Sequence, residues 1–290
     1  MSRLAVDGGR LPLWADRSIT AAFFELNGET LVPRAHAHSA RSVDFLHGRL
    51  LAGLLARSVE ARIDDPDRQC ARLTVDLFRP TPLGPVEVTA STFRQGRRIQ
   101  VIDAVVASAS PSGGDPVVTA RASATVLRRG ETPPGEVWTP TEWTLPGPEA
   151  IPPPGADEAR LLPWDIRACG PSGLVSADRV QVWVRDPRPL VEGEAVTGLV
   201  RAAMVADAAN PFANAGTRGL RYINTDITLL LRRPPRSEWI GFEVASHLAQ
   251  RGIAIGQCTL YDEDGAIGSS SVTAIAQEPL GRDIAKTAGP

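Results

Sequence analysis

Arg72–Pro80 reads RLTVDLFRP, and Asp226–Pro234 reads DITLLLRRP. In the first stretch Leu73, Val75 and Leu77 alternate with Thr74 and Asp76, the period-two pattern of a strand with one buried face. A second pair of stretches overlays in the same way. FRQGRRIQVIDAVV at Phe93–Val106 lies over AQRGIAIGQCTLYD at Ala249–Asp262, each with a glycine near a hairpin turn. A repeat as long as a domain points to a pseudo-dimer within one chain, since solenoid repeats are far shorter.

The elements around these stretches recur in the same order. Asp44–Glu60 (DFLHGRLLAGLLARSVE) predicts a helix, with Leu46, Leu50, Leu51, Leu54 and Leu55 spaced for one apolar face. Strand-like runs follow at Arg72–Arg79, Val86–Arg94, Arg97–Ala107 and Val117–Leu127, bounded by turn residues such as Pro80–Pro85. In the second half Leu199–Asn210 predicts a short Ala-rich helix. The runs Tyr222–Arg233, Trp239–Leu248, Gly252–Tyr261 and Ile267–Ala276 come after it. Between the halves, residues 129–163 hold nine of the 25 prolines and read as an extended linker. The expected division is a unit at 1–128, the linker at 129–163, a unit at 164–277 and a polar tail at 278–290. Four strands alone leave open edges, so a sheet curled round each helix and paired edge to edge with its copy is the packing that satisfies both halves.

Composition narrows the function classes. The 290 residues are 43% hydrophobic and 22% charged, with a net charge of −2. That balance gives no field to attract nucleic acid or an anionic membrane. Of 31 basic residues only Lys286 is a lysine. Cys70, Cys169 and Cys258 are odd in number and far apart, which argues against a disulfide framework or a CxxC metal site and fits a reducing cytoplasm. No apolar run approaches membrane-spanning length, and the N-terminus lacks a signal-peptide pattern.

One residue stands out chemically. Asp207 is the only charged residue from Ala202 to Thr217, set among Ala203, Met204, Val205, Ala206, Ala208 and Ala209. A carboxylate in an apolar helix is expensive unless bonded or used, and burial moves its pKa toward the range of a general base. The alternative is a carboxylate bonded to the partner unit's backbone or lying at a solvated helix edge. The first-half helix carries no acid between Leu46 and Val59. A purely architectural carboxylate would have occurred in both halves.

The order of elements resembles the hotdog fold, and the local sequence is similar to the acyl-CoA thioesterase II-like (TesB-like) double-hotdog family. The residues that carry the resemblance are His47-Gly48 and the run Arg79-Pro80…Gly84-Pro85…Arg94-Gln95-Gly96-Arg97. In the second half they are Val182-Trp183-Val184-Arg185, Ala206-Asp207 and Asp226…Arg233-Pro234. The resemblance covers roughly residues 20–277. It implies an α+β double hotdog, two tandem hotdog domains each with an antiparallel sheet wrapped around a central helix. It also implies hydrolysis of an acyl-CoA thioester to free acid and CoA without metal or other cofactor, in lipid metabolism, by a cytoplasmic homo-oligomer (a dimer or larger).

The family uses an Asp on the second-half helix with a Thr and a Gln on nearby strands. The Asp corresponds to Asp207, the Thr place holds Asn224 and the Gln place falls at Thr273. These departures keep polar groups and exchange their types, which leaves weakened, altered or absent water activation open. The thiol of CoA, with a pKa of about 8.5, leaves without a strong acid, so a water, a base and oxyanion donors suffice. Asp207 is the expected base, and Asn224 and Thr273 the expected orienters of the water. Gly48, opening the first helix, either supplies an oxyanion N–H or is a close-packing glycine. Arg94, Arg97, Arg98, Arg232, Arg233 and Arg236 either meet CoA phosphates or decorate solvated strand ends.

Other signals carry less. His36, His38 and His47 lack the carboxylates or cysteines that would complete a metal set. There is no GxSxG, phosphate-binding GxxxxGK[ST] or GxGxxG motif. Trp138, Trp143 and Trp164 read as linker anchors. Asp207–Asn214 resembles the Asp-x-Asn-Pro-x-His motif of hotdog hydratases, but Ala213 stands where the histidine is needed, which disfavours a hydratase. The remaining alternative to a hydrolase is a non-catalytic hotdog module that binds acyl chains or acyl-CoA.

Overall fold

The computed structural model describes residues 20–110, 113–139, 146–155, 163–169 and 179–277. The expected tail at 278–290, Trp143, and residues 140–145 and 156–162 of the linker stretch lie outside the described residues. Strands β1 (Phe24–Asn27) and β2 (Thr30–Pro33) precede helix α1 (Gly48–Glu60). Strands β3 (Arg68–Asp76), β4 (Val86–Gln95), β5 (Ile99–Ser108) and β6 (Val117–Arg128) complete the first half. The second half begins with β7 (Asp165–Ala168), β8 (Gln181–Arg185), α2 (Gly198–Ala206) and α3 (Ala209–Asn214). The short strands β9 (Ala215–Gly216), β10 (Gly219–Leu220) and β11 (Tyr222–Asn224) follow. The chain ends on β12 (Asp226–Leu231), β13 (Ile240–Gln250), β14 (Ile253–Asp262) and β15 (Gly265–Ala276).

One antiparallel sheet takes the order β1-β2-β4-β5-β6-β3-β12-β15-β14-β13-β8-β7, with β11 paired to β15. Outward from the β3–β12 seam, both directions meet the same succession of elements. Thus β3 answers to β12, β6 to β15, β5 to β14, β4 to β13, β2 to β8 and β1 to β7. At the centre of the seam Thr74 lies opposite Thr228, and the Thr228 hydroxyl donates to Thr74 Oγ1 at 3.4 Å. Each half wraps its sheet on a central helix, which is the double-hotdog arrangement.

Both helices lie in one continuous core. Leu50, Leu54, Leu55, Ala56 and Val59 of α1 and Ala202, Val205 and Ala206 of α2 are fully buried. The helices pass closely at Gly53, where a Cβ would come within 2.7 Å of Met204 Cγ and 3.1 Å of Leu190 Cδ2. A glycine inside a helix costs about 1 kcal/mol relative to alanine, and the close approach of α1 to α2 is what it permits.

The structure departs from the sequence reading at several boundaries. Helix α1 starts at Gly48, four residues later than expected. Before it the chain is held extended by bridges from His38 to Leu46 and from Phe45 to Pro82. The His47 ring then caps the helix by accepting the Arg49 N–H. The second helix breaks after Ala206 and restarts at Ala209, with Pro211 at its third position. Strands β1, β2 and β7 are too short to show a period. The hairpin between β13 and β14 turns on Arg251 and Gly252, both at positive φ (51° and 80°), as a twisted two-residue turn demands. Among the described residues no helix is long and apolar enough to cross a membrane.

Candidate active site

Helix α2 carries its carboxylate at its C-terminal end, after a body that is buried apart from Gly198 and Arg201. Leu199, Val200 and Ala202 to Ala206 are all buried, and Thr197 opens the helix by accepting the Val200 N–H. Asp207 caps the other end and is 7% exposed. Burial holds its carboxyl above the ordinary carboxylate range, while the Asn224 hydrogen bond and the charges of Arg49 and Arg41 pull it partly back. The partial negative charge of the helix end acts with burial.

Strand β11 brings Asn224 to this carboxylate. Its Nδ2 donates to Asp207 Oδ1 at 2.8 Å. The other oxygen faces the first half of the chain. His47 Nδ1 lies 3.6 Å from Asp207 Oδ2, and a Cβ on Gly48 would sit 3.9 Å from the same oxygen. Gly48 is the first residue of α1, so its N–H has no partner within the helix. The site is therefore composite, with His47 and Gly48 from one half and Asp207 and Asn224 from the other.

His47 is neutral here. Burial first, and then the positive fields of Arg49, His38 and Arg41, hold its pKa well below the usual histidine value. Because Nδ1 accepts the Arg49 N–H at 3.4 Å, the ring proton belongs on Nε2. Trp164 meets the ring edge-on, with centroids 6.1 Å apart. Arg49 is 1% exposed, forms an ion pair with Asp186 and lies over the Phe23 ring at 4.7 Å. Arg41 reaches across the halves, donating to Gln277 Oε1 at 2.9 Å and to the Tyr222 carbonyl at 3.2 Å.

Thr273 is a correction to the sequence reading. Its side chain is exposed on the outer face of β15 and bonds Asp226 and Thr225. Strand alternation decides this, because Val272 and Ala274 take the inward positions and are each 1% exposed. Ser270, also inward, spends its hydroxyl on the Ala206 carbonyl at 2.9 Å. The structure thus brings together Asp207, Asn224 and Gly48 and leaves Thr273 outside. His47 joins them, although in the sequence it figures only in the His47-Gly48 pair of the family resemblance and among the histidines set aside as metal ligands.

Several of the other candidates have structural partners. His36 donates to the Ala21 carbonyl and His38 to the Ser39 carbonyl. Trp164 is 2% exposed and buried at the seam, whereas Trp138 is 85% exposed. Arg233 is held by Asp262 at 2.5 and 2.6 Å, Arg236 by Asp264 at 2.9 Å, and Arg232 Nε donates to Ala266 O at 2.6 Å. Arg94, Arg97 and Arg98 are exposed on β4 and the turn after it. A groove of about 660 Å³ lined by Arg128, Arg129, Arg232, Arg233 and Arg236 opens at the end of β12 away from Asp226.

That far end of the seam is where a second copy of the site would fall. Aligning Gly48 with Gly198, the first residues of α1 and α2, sets Arg57 in the place of Asp207. Arg57 makes a two-pronged bond to Glu194, both contacts 2.6 Å. Thr197 donates to Glu60 Oε2 at 2.6 Å. A Cβ on Gly198 would come within 2.9 Å of the Pro235 carbonyl, so the chain packs closely on the start of α2.

Comparison with known proteins agrees with this fold and seam. Residues 37–127 match the N-terminal domain of acyl-CoA thioesterases and residues 139–275 the C-terminal domain. The chain belongs to the acyl-CoA thioesterase family and has the double-hotdog fold. Among solved structures it is similar to an acyl-CoA thioesterase II from Mycobacterium marinum, with a TM-score of 0.60 and 18% identity over 93% of this chain and 98% of that one. It is also similar to a hot dog fold protein of unknown function from Alicyclobacillus acidocaldarius, with a TM-score of 0.65 and 16% identity over 90% and 97%. A tesB protein from Mycobacterium avium subsp. paratuberculosis gives 0.61 and 16% over 88% and 96%. No curated protein matches the chain in sequence.

Proposed function

We propose that this protein hydrolyses an acyl-CoA thioester to a free acid and CoA, with Asp207 activating the water. The observation that carries the reading is the buried carboxylate at the seam, one oxygen bonded to Asn224 and the other facing His47 and Gly48. In its ionised form Asp207 takes a proton from water through Oδ2, and the hydroxide adds to the thioester carbonyl. The carbonyl oxygen becomes an oxyanion that the Gly48 N–H, at the positive end of α1, is positioned to receive. The C–S bond then breaks and CoA leaves as a thiolate, which needs no strong acid because its pKa is about 8.5. His47, neutral and with Nδ1 held by the Arg49 N–H, walls the space beside Oδ2. The raised pKa makes Asp207 a stronger base than a surface carboxylate once it is ionised.

A thiol-release assay with acetyl-, hexanoyl- and decanoyl-CoA, comparing wild type with Asp207→Ala, tests this. Turnover that survives Asp207→Ala would exclude the assignment. A second reading is a module that binds acyl-CoA without cleaving it. It is favoured by Asn224 in the family's threonine place and by Thr273, which stands in the glutamine place but turns its side chain to the outer face. Binding of acyl-CoA by calorimetry without thiol release would select that reading. A cytoplasmic setting and a homo-oligomeric state belong to the same proposal.

A further inference from the structure

Four hydrogen bonds run in one direction from the exposed His247 on β13 to the carboxylate. His247 Nδ1 bonds Asn214 Oδ1 at 2.8 Å, and Asn214 Nδ2 donates to Asn210 Oδ1 at 3.0 Å. Asn210 Nδ2 donates to Asn224 Oδ1 at 3.2 Å, and Asn224 Nδ2 donates to Asp207 Oδ1 at 2.8 Å. The direction is dictated by chemistry. An ionised carboxylate only accepts, so Asn224 presents its NH₂ to it and leaves its oxygen for Asn210. The same choice passes to Asn214 and ends by requiring a proton on His247 Nδ1.

The surrounding structure is built for this chain. Asn210 and Asn214 are 3% and 4% exposed and stand one turn apart on α3. Gly256, opposite His247 in the β13–β14 ladder, leaves the slot that the Asn214 amide fills. A Cβ there would lie 3.0 Å from Asn214 Oδ1 and 2.8 Å from Ala213 Cβ. Asn210 Nδ2 also reaches the Tyr222 carbonyl at 3.3 Å, and the Tyr222 ring lies 6.0 Å from that of His247.

We infer that Asn210, Asn214 and His247 are positioning residues, forming a polarised amide relay that locks the Asn224 NH₂ onto Asp207 Oδ1 and reserves Oδ2 for the water. As a statement about catalysis this rests on the hydrolase reading. As a statement about the carboxylate it does not. The ionisable groups acting on Asp207 from other elements, His47 and Arg49 of α1 and Arg41 before it, are untouched by changes at His247.

The relay can be reversed from its outer end. In His247→Glu the new carboxylate accepts from Asn214 Nδ2, which drives each amide downstream to turn over against the Tyr222 and Asp226 carbonyls that also hold the Asn210 and Asn224 NH₂ groups. Asn224 then presents its oxygen to Asp207, which favours the protonated acid. His247→Gln keeps a donor and preserves the direction. Leu248→Glu, on the exposed side of the same strand, brings the same charge without touching the relay. Titration of the Asp207 carboxyl by ¹³C NMR in aspartate-labelled full-length protein, identified by its loss in Asp207→Asn, reads the result without any turnover. His247→Glu should raise the midpoint by about one to two pH units beyond any shift in Leu248→Glu, the effect of losing a hydrogen bond to a charged group. His247→Gln should leave it at the wild-type value. Equal shifts in His247→Glu and Leu248→Glu, or a His247→Gln shift as large as that of His247→Glu, would overturn the relay. The acid limb of kcat/KM for hexanoyl-CoA should move with the midpoint. A wild-type protein without thiol release would sink the hydrolase reading while the titration still decides the relay.

Discussion

Asn224 gives Asp207 its one hydrogen bond from a side-chain amide, at 2.8 Å, and in doing so opposes the burial that holds the carboxyl above its ordinary range. Function and stability therefore pull on Asp207 in opposite directions. A carboxyl with a raised folded-state pKa adds stability below its unfolded pKa of about 3.9, and that stability is lost as pH rises through the folded value. At neutral pH the ionised form is a burden on the fold. Asp207→Asn is expected to lower kcat by about 10²–10⁴-fold. It is also expected to raise Tm at pH 8 by about 2–4 °C, the change that about 1 kcal/mol makes in a chain of this size. Activity assays and calorimetry on one preparation check both.

The pH dependence of hydrolysis follows from the same direction of shift. Activity should fall on the acid side as Asp207 takes up its proton, with a midpoint above the usual carboxylate range. Asn224→Ala removes the group that favours the ionised form, so its acid limb should lie at higher pH still, with kcat about tenfold or more lower at pH 7. Asn224→Thr keeps a donor and should fall between. Profiles of kcat against pH for the three proteins decide this.

His47 predicts an acid weakness. Its folded-state pKa is depressed, so its contribution is complete above the unfolded value of about 6.5 and is lost as pH falls toward the folded value. In that window the proton taken up only by the unfolded chain removes about 1.4 kcal/mol per pH unit. His47→Asn retains a helix cap without the titration. Urea unfolding between pH 7 and 5 should show a shallower decline in the variant.

Thr273→Val should leave kcat/KM within about twofold of wild type, because the hydroxyl faces Asp226 and Thr225 on the outer surface, where single substitutions have small effects. A loss of a hundredfold would return Thr273 to the site.

Gly268→Ala should be severe. A Cβ at Gly268 would sit on the Leu230 carbonyl oxygen in the β12–β15 ladder. Backbone cannot yield as a flexible side chain does, and a loss of roughly 3 kcal/mol or more is expected, read from the urea midpoint.

The fold was legible because the repeat was written in register. Overlaying Arg72–Pro80 on Asp226–Pro234 makes Thr74 the equivalent of Thr228, and the structure sets those two opposite each other, as a two-fold axis through the seam requires. Asp207 was legible as a lone charge in an apolar helix. Thr273 was not, because a one-residue slip on a strand exchanges its two faces. Asn210, Asn214 and His247 could not be read as a group, since their connection depends on a gap left by Gly256 on another strand. His47 depended on a contact between halves that no local pattern reports.

The salt bridge of Arg57 with Glu194 gives the duplicated chain an odd stoichiometry. A homodimer of identical hotdogs owns two equivalent mouths, so occupancy of one can influence the other within the same pair. Here the two-fold-related position carries Arg57, bound to Glu194, in place of a catalytic carboxylate. A tight inhibitor of the Asp207 centre should titrate linearly to a break at one equivalent per polypeptide. Any sigmoidal response would have to come from contacts between separate chains.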